Sequence, residues 1–248
     1  MSNYTLECCI DSVESAIAAK EGGANRLELC ANIVIGGTTP SIAMFNEVKK
    51  QTGLRTHVLI RSRFGDFCYT DHEFNVMCEE IRMFKEAGAD GVVIGCLDAD
   101  CNLQYDRMAK MRECAGDMFV TMHRAYDMCA DPYLVIEQAK KLGINAILTS
   151  CRKNVSIDAL DFLSEILELA GDDLNILVGG ISKSEQIGEI IKATKARHFH
   201  LSGHVILDSD VKNRNDIKMG APGISEYEIY RTDANNIKIA SDMIVNNL

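Results

Sequence analysis

Short apolar runs alternate with longer stretches of helical periodicity along almost the whole chain. The runs fall at 4–10, 26–30, 56–61, 91–96, 118–123, 144–149, 175–178 and 197–201, and each reads as a strand. Between them, Ile42, Phe45 and Val48 share one stripe, and Phe74, Met77, Ile81 and Phe84 share another. Start and stop residues sit where helices need them. Asp11 or Ser12 can cap a helix that ends at Gly22-Gly23. Ser41 opens a second, with Gly53 after it, and Gly88 stops a third. A helix near 104–115 follows the fourth strand. Asp131-Pro132 supplies a cap and a first-turn proline, Ser156 can cap a sixth helix, and a seventh begins near 184. A final helix, capped by Thr232 or Asp233, carries Ile237, Ala240 and Ile244 on one side.

Gly23-Ala24-Asn25, Gly88-Ala89-Asp90 and Gly143-Ile144-Asn145 each close a helix just before an even-numbered strand. A helix stop with a short return to a parallel strand explains that echo. The rhythm predicts an α/β fold, a single (β/α)8 barrel of the TIM type spanning residues 1–248. An open doubly wound sheet is the alternative with the same rhythm. Only residues 203–231 break the pattern, and they read as an extended loop, a lid or a subunit contact.

Composition narrows the function classes. Of 248 residues, 47% are hydrophobic and 25% charged, enough for a sizeable core. A formal charge of -10 argues against nucleic acid or an anionic membrane as partner. The opening MSNYTLECCI lacks a basic region followed by a long apolar stretch, and no run approaches the roughly 18 apolar residues that cross a bilayer. Ten cysteines without framework spacing or a C-x-x-C pair fit a reducing compartment, so a cytoplasmic location is expected.

Charged residues recur where strands should end: Glu7, Glu28, Arg61, His123 and His200. Burying them unpaired costs several kcal/mol, so their placement makes sense if those ends converge on one polar site. Arg61, Arg63, Asp66 and Tyr69 form an anion-binding or proton-handling set after the third strand. After the fifth, His123 can move a proton near neutral pH, with Arg124 beside it and Asp127 to orient it. Glu7 and Glu28 can serve as acid and base, or hold a divalent cation with His123; alternatively each neutralises an arginine such as Arg61 or Arg124. Gly179 and Gly180 after strand seven, with Ser202 and Gly203 after strand eight, form a candidate phosphate site. No lysine falls at a strand end, which leaves Schiff-base chemistry without a nucleophile. Cys30, Cys68, Cys96, Cys129 and Cys151 also fall at or after strand ends, near Met122 and Met128. Soft ligands of that kind favour Cu(I).

Five ordered motifs carry a resemblance: Glu28-Leu-Cys30, Gly36-Gly37-Thr-Thr-Pro40, Gly65-Asp-Phe-Cys68-Tyr69, His123-Arg124-Ala-Tyr-Asp127 and Leu148-Thr149-Ser150. Together they resemble the CutC copper-homeostasis family from about residue 5 to the final helix. The resemblance implies a TIM-type barrel in the cytosol, a homodimer or higher homo-oligomer, and copper handling through Cu(I). Cys30 and Cys68 lie inside matching motifs and are the implied metal ligands. Two positions depart from the family's pattern. Phe64 stands where the first of two glycines is usual, and Cys151-Arg152 replaces Gly-Gln. The second chemistry open to these residues is that of an isomerase or lyase acting on a small phosphorylated or carboxylated metabolite. In it, Glu7, Glu28, His123 and Asp127 handle protons while Arg61 and Arg124 hold the anion.

Overall fold

Eight parallel strands close into a barrel in the computed structural model, which describes residues 4–220 and 222–248. They are β1 (Thr5–Ile10), β2 (Arg26–Leu29), β3 (Arg55–Leu59), β4 (Gly91–Ile94), β5 (Phe119–Met122), β6 (Ala146–Thr149), β7 (Asn175–Val178) and β8 (His198–Leu201). Each pairs with the next in chain order, and β8 closes on β1 with Glu7 opposite His200. Closure excludes the open doubly wound sheet. The first three residues, which entered the reading of the chain's opening, and Ala221, within the expected lid, lie outside the described residues.

An outer ring of helices connects the strands: α1 (Val13–Glu21), α2 (Ile42–Thr52), α3 (Asp71–Glu86), α4 (Tyr105–Ala115), the single turn α5 (Ala125–Met128), α6 (Pro132–Lys141), α7 (Leu160–Ala170), α8 (Gln186–Thr194) and α9 (Ala234–Asn247). The caps expected at Ser12, Ser41 and Asp131 each accept a backbone N–H of the first turn, as does Asp233 for α9. Helix α3 also has a reciprocal capping box between Thr70 and Glu73 that the sequence reading passed over. Ser156 caps nothing. It lies inside a short 3-10 turn ahead of α7, its buried hydroxyl without a partner.

Alternation along each strand divides the side chains between two cores. Leu6, Cys8 and Ile10, Leu27 and Leu29, Val58 and Ile60, and Phe199 and Leu201 pack outward against Phe45, Phe84 and the other helix residues. The intervening residues point into the barrel, where Cys30, Leu59 and Val93 form a small apolar cluster. Below it the interior is polar. Arg26 Nε donates to Glu7 Oε2 at 2.5 Å, and the Arg26 guanidinium stands 5.3 Å over the Phe119 ring. His57 packs against that ring at 5.0 Å, and His198 Nδ1 lies 3.0 Å from Thr5 Oγ1. This layer is the floor on which the site above it rests.

The segment after β8, expected as a loop or lid, contains a two-stranded antiparallel sheet of β9 (His204–Asp208) and β10 (Glu228–Thr232). Its root is tied to the barrel. Thr232 Oγ1 donates to the Ser202 carbonyl at 3.0 Å and the Thr232 N–H to Ser15 Oγ at 3.1 Å. No helix among the described residues is long and apolar enough to cross a membrane.

The floor gives the fold a pH signature. Burial and the nearby Arg26 charge push His57 down to about 3 and His198 down to about 4, so both stay neutral in the folded chain at pH 5. Unfolded, each takes up a proton near 6.5. Between those values the unfolded state binds more protons, so each histidine removes about 1.4 kcal/mol of stability per pH unit as pH falls. Urea midpoints should therefore drop from pH 6.5 towards pH 4, and His57→Gln should make that limb shallower. An unchanged slope in the variant would contradict a neutral His57.

Candidate functional site

The carboxyl ends of the strands surround a cavity of about 690 Å³. That is within the range of roughly 300–1,000 Å³ that holds small ligands. Cys9, Glu28, Arg61, His123, Gly180 and His200 all line it, so residues far apart in sequence do converge on one opening.

On the β1, β2 and β8 side, His200 links the two glutamates. Its Nδ1 lies 2.8 Å from Glu7 Oε1 and its Nε2 3.7 Å from Glu28 Oε2. Glu7 lies below the cavity and Glu28 lines it. Burial alone would raise Glu7, but Arg26 and His200 outweigh it and hold the carboxyl well below the usual carboxylate range. Burial raises Glu28, which the His200 charge offsets only in part. His200 is itself lifted well above its ordinary range, because Glu28, Cys9 and Glu7 outweigh burial. The two carboxyls are pushed in opposite directions by their surroundings. The expected meeting of Glu7 and Glu28 thus runs through His200, not His123, and the arginine that neutralises Glu7 is Arg26.

The thiols differ from the expected pair. Cys30 Sγ lies 3.9 Å from Cys9 Sγ, and donor atoms of Cys9, Glu28 and His200 fall within 4.8 Å of one another. Cys68 is not in this group. It sits outside the cavity on the loop that Arg63 and Asp66 hold together. Cys68 is an implied ligand beside Cys30 only through motif membership, and motif membership does not imply proximity. The contact with the Cys30 thiol, then burial, raises Cys9 well above the usual thiol range. Burial raises Cys96 and Cys129 to about 11 and Cys151 to about 12, the behaviour of inert core thiols.

On the β3 and β5 side, Arg61 is 7% exposed. Its guanidinium donates to the carbonyls of Gly36 (3.3 Å), Gly37 (2.9 Å) and Gly65 (2.6 Å) and stacks 5.2 Å over Phe67. Among the described residues it forms no ion pair. His123 packs against Phe67 at 4.6 Å and accepts the Ala125 N–H at Nδ1. The proton therefore belongs on Nε2, a buried donor without a partner. Burial and Arg61 push His123 down to about 3, so it is a neutral donor rather than a group titrating near neutrality. Gly95 makes room for it, since a Cβ there would meet the imidazole at 2.4 Å.

Asp127 does not orient His123. Its carboxylate accepts from Thr149 Oγ1 (2.5 Å), the Ser150 and Arg152 N–H groups and Arg124 Nε (2.8 Å), and so ties down the loop after β6. Arg124 is half exposed and shared between Asp127 and Ser150 Oγ. Both Arg124 and Asp127 line the cavity, whereas Asp66 leaves the site, since its exposed side chain pairs with Arg63 at 2.9 Å.

The four expected phosphate residues divide likewise. Gly180 and Ser202 line the cavity. Gly179 instead gives its N–H to the Thr149 carbonyl at 2.8 Å, and Gly203 packs under α9, where a Cβ would meet Ile237 at 2.6 Å. Among the described residues no acceptor takes the N–H of Gly180 or Ile181, whereas Gln186 occupies those of Ser182 and Lys183. Cys9 and Arg26 were passed over as site residues, although strand alternation places Cys9 on the same face as Glu7, and Arg26 on the face of Glu28 and Cys30.

Comparison with known proteins agrees with this barrel. The model of the CutC family matches residues 4–205. A Bacteroides fragilis family protein CutC is 40% identical over 253 residues, covering 100% of both chains. The human copper homeostasis protein cutC homolog is 35% identical over 250 residues, covering 98% of this chain and 92% of its own. A crystal structure of CutC from Streptococcus agalactiae superposes with a TM-score of 0.76 at 26% identity, covering 80% of this chain and 98% of that one. A thiamine phosphate pyrophosphorylase from Pyrococcus furiosus, 16% identical with a TM-score of 0.60 over 99% and 97% of the two chains, shares the fold alone. The chain belongs to the CutC family, whose relatives include copper homeostasis proteins.

Proposed function

We propose that this chain binds Cu(I) as cargo at the barrel mouth, in the cytosol, through Cys9 and Cys30. The observation that carries the reading is the 3.9 Å separation of their sulfurs, with His200 and Glu28 grouped around Cys9. Thiolates favour Cu(I), and imidazole can complete such a site. Cys9 lies on β1 and Cys30 directly follows the neighbouring β2, so the rigid barrel presets their spacing. All ten cysteines are free thiols, which supports a reducing compartment. A homodimer or higher homo-oligomer is supported by Ile206, Leu207, Ile217 and Met219, each an exposed apolar side chain on the segment after β8.

A second reading, binding or turnover of a small phosphorylated or carboxylated metabolite by isomerase or lyase chemistry, is favoured by Arg61. It is a buried cation with no carboxylate partner, in a cavity much larger than a single ion requires. The unpartnered His123 Nε2 and the Gly180 and Ile181 N–H groups add donors for an oxyanion.

Titration with Cu(I) against a chromogenic chelator, without oxygen, tests the first reading. Cys9→Ser and Cys30→Ser should each weaken retention by about tenfold or more, and Cys68→Ser should leave it unchanged. Because a thiol gives up its proton when it binds a metal ion, affinity should rise with pH. Full retention in the Cys9→Ser, Cys30→Ser double variant would end the proposal. For the second reading, an anion at 100 times its dissociation constant should add about 2.7 kcal/mol of stability, and Arg61→Gln should abolish the gain. A thermal screen of phosphate and small carboxylates in which none raises the melting temperature would remove it.

A further inference from the structure

One wall of the cavity comes from outside the barrel. His204 of β9 and Tyr230 of β10 both line it, beside Ser202, although the family match ends at residue 205. Their rings are 5.3 Å apart and inclined at 35°, and Ser202 Oγ holds His204 Nδ1 at 2.7 Å. Thr232 and Asp233 anchor the strand that carries Tyr230, while Arg231 reaches Glu14 of α1 at 3.8 Å. Almost no space, about 10 Å³, remains in the crevice between this hairpin and the end of β1. The hairpin is therefore seated, and its aromatic pair has a fixed place at the rim. A second aromatic pair, Phe67 with His123, belongs to the β3 and β5 side, across the barrel from β8 in strand order.

We infer that the β9–β10 hairpin is a built wall of the ligand site, and that Tyr230 and His204 select ligands with a flat aromatic or conjugated body carrying a carboxylate. The inference deepens the second reading and rests on it, with Arg61 meeting the carboxylate. Flat rings stack with aromatic faces in offset or tilted arrangements that a puckered ring of equal size cannot reproduce. Tyr230 is half-buried and His204 exposed, so both retain surface for a ligand. Neither residue is assigned a chemical step. They are specificity-determining residues.

Benzoate and cyclohexanecarboxylate, equal in charge and similar in size, separate this role from charge alone. Ligand-observed NMR titration of the full chain should find benzoate bound about three- to tenfold more tightly. Tyr230→Leu combined with His204→Leu should bring the ratio to about one, with cyclohexanecarboxylate binding little changed. Tyr230→Phe should keep the preference, because it retains the face and loses only the hydroxyl. Arg61→Gln should weaken both ligands alike. If the preference survives in the double leucine variant, or is absent from the wild type while Arg61 still matters, the hairpin's role is overturned and the anion reading stands. If neither carboxylate binds the wild type, the anion reading falls and this inference falls with it.

Discussion

The interior of the barrel depends on one buried carboxylate. Glu7 is fully buried, and removing such a charge from water without a partner costs several kcal/mol. Two other strands answer it, with Arg26 from β2 at 2.5 Å and His200 from β8 at 2.8 Å, while the neutral His57 of β3 stands 3.8 Å away without a hydrogen bond to it. Buried ion pairs seldom stabilise a fold more than apolar residues of equal volume would. Their value here is positional. A one-residue slip of β1 would turn Glu7 into the apolar layer beneath the helices and bring Cys8 inside. Because β1 and β8 are the strands that close the barrel, Glu7 sets the register at the seam. The same contact holds the His200 ring by Nδ1 and leaves Nε2 towards Glu28.

Much of this architecture is legible in the sequence because parallel strands buried on both faces form continuous apolar runs. Asn175–Val178 is recovered without error, and the other seven strands differ only by frayed ends. The hairpin was not legible for the opposite reason. His204–Asp208 has three apolar residues in a row and mostly exposed side chains, so neither alternation nor burial marks it as a strand. Site membership was half legible. A charged residue at a strand end signals convergence, and Glu28, Arg61 and His123 do converge. Its partner is another matter, because partners are set by register and loop path. Asp127 is four residues from His123, yet its carboxylate turns to the loop after β6. Cys9 is adjacent to Cys8, yet only Cys9 meets Cys30.

The departures from the family pattern show how that loop tolerates change. Cys151 has φ of +60° and Arg152 of +59°, the left-handed region where the pattern places glycine at the first position. A side chain there costs roughly 1–2 kcal/mol. Local bonds oppose that cost. The Cys151 N–H donates to Thr149 Oγ1 at 2.8 Å, the Arg152 N–H to Asp127 Oδ1 at 3.1 Å, and Arg152 Nη1 to the Cys129 carbonyl at 2.6 Å. Asp127 is therefore a scaffold for a strained turn, although it also lines the cavity.

Charge balance connects the two proposals for the cavity. Around the mouth and floor, Arg26, His200 and Arg61 are cationic, Glu7 is ionised, and Glu28 is pushed towards its neutral form. Arg124 and Asp127 cancel each other at the rim. Three cations against two carboxylates, one of which burial pushes towards its neutral form, leave an excess of positive charge in the interior, inside a protein whose overall charge is -10. A bare metal ion would be repelled from such a place, whereas anything arriving with net negative charge would be drawn in. A carboxylate or phosphate meets that condition directly. Cu(I) meets it once both thiols have lost their protons, because one positive ion between two thiolates carries net charge of minus one. The electrostatics thus favour a two-thiolate complex over capture by Glu28 and His200 alone, and they make the thiol pair and the arginine alternative ways of meeting one demand.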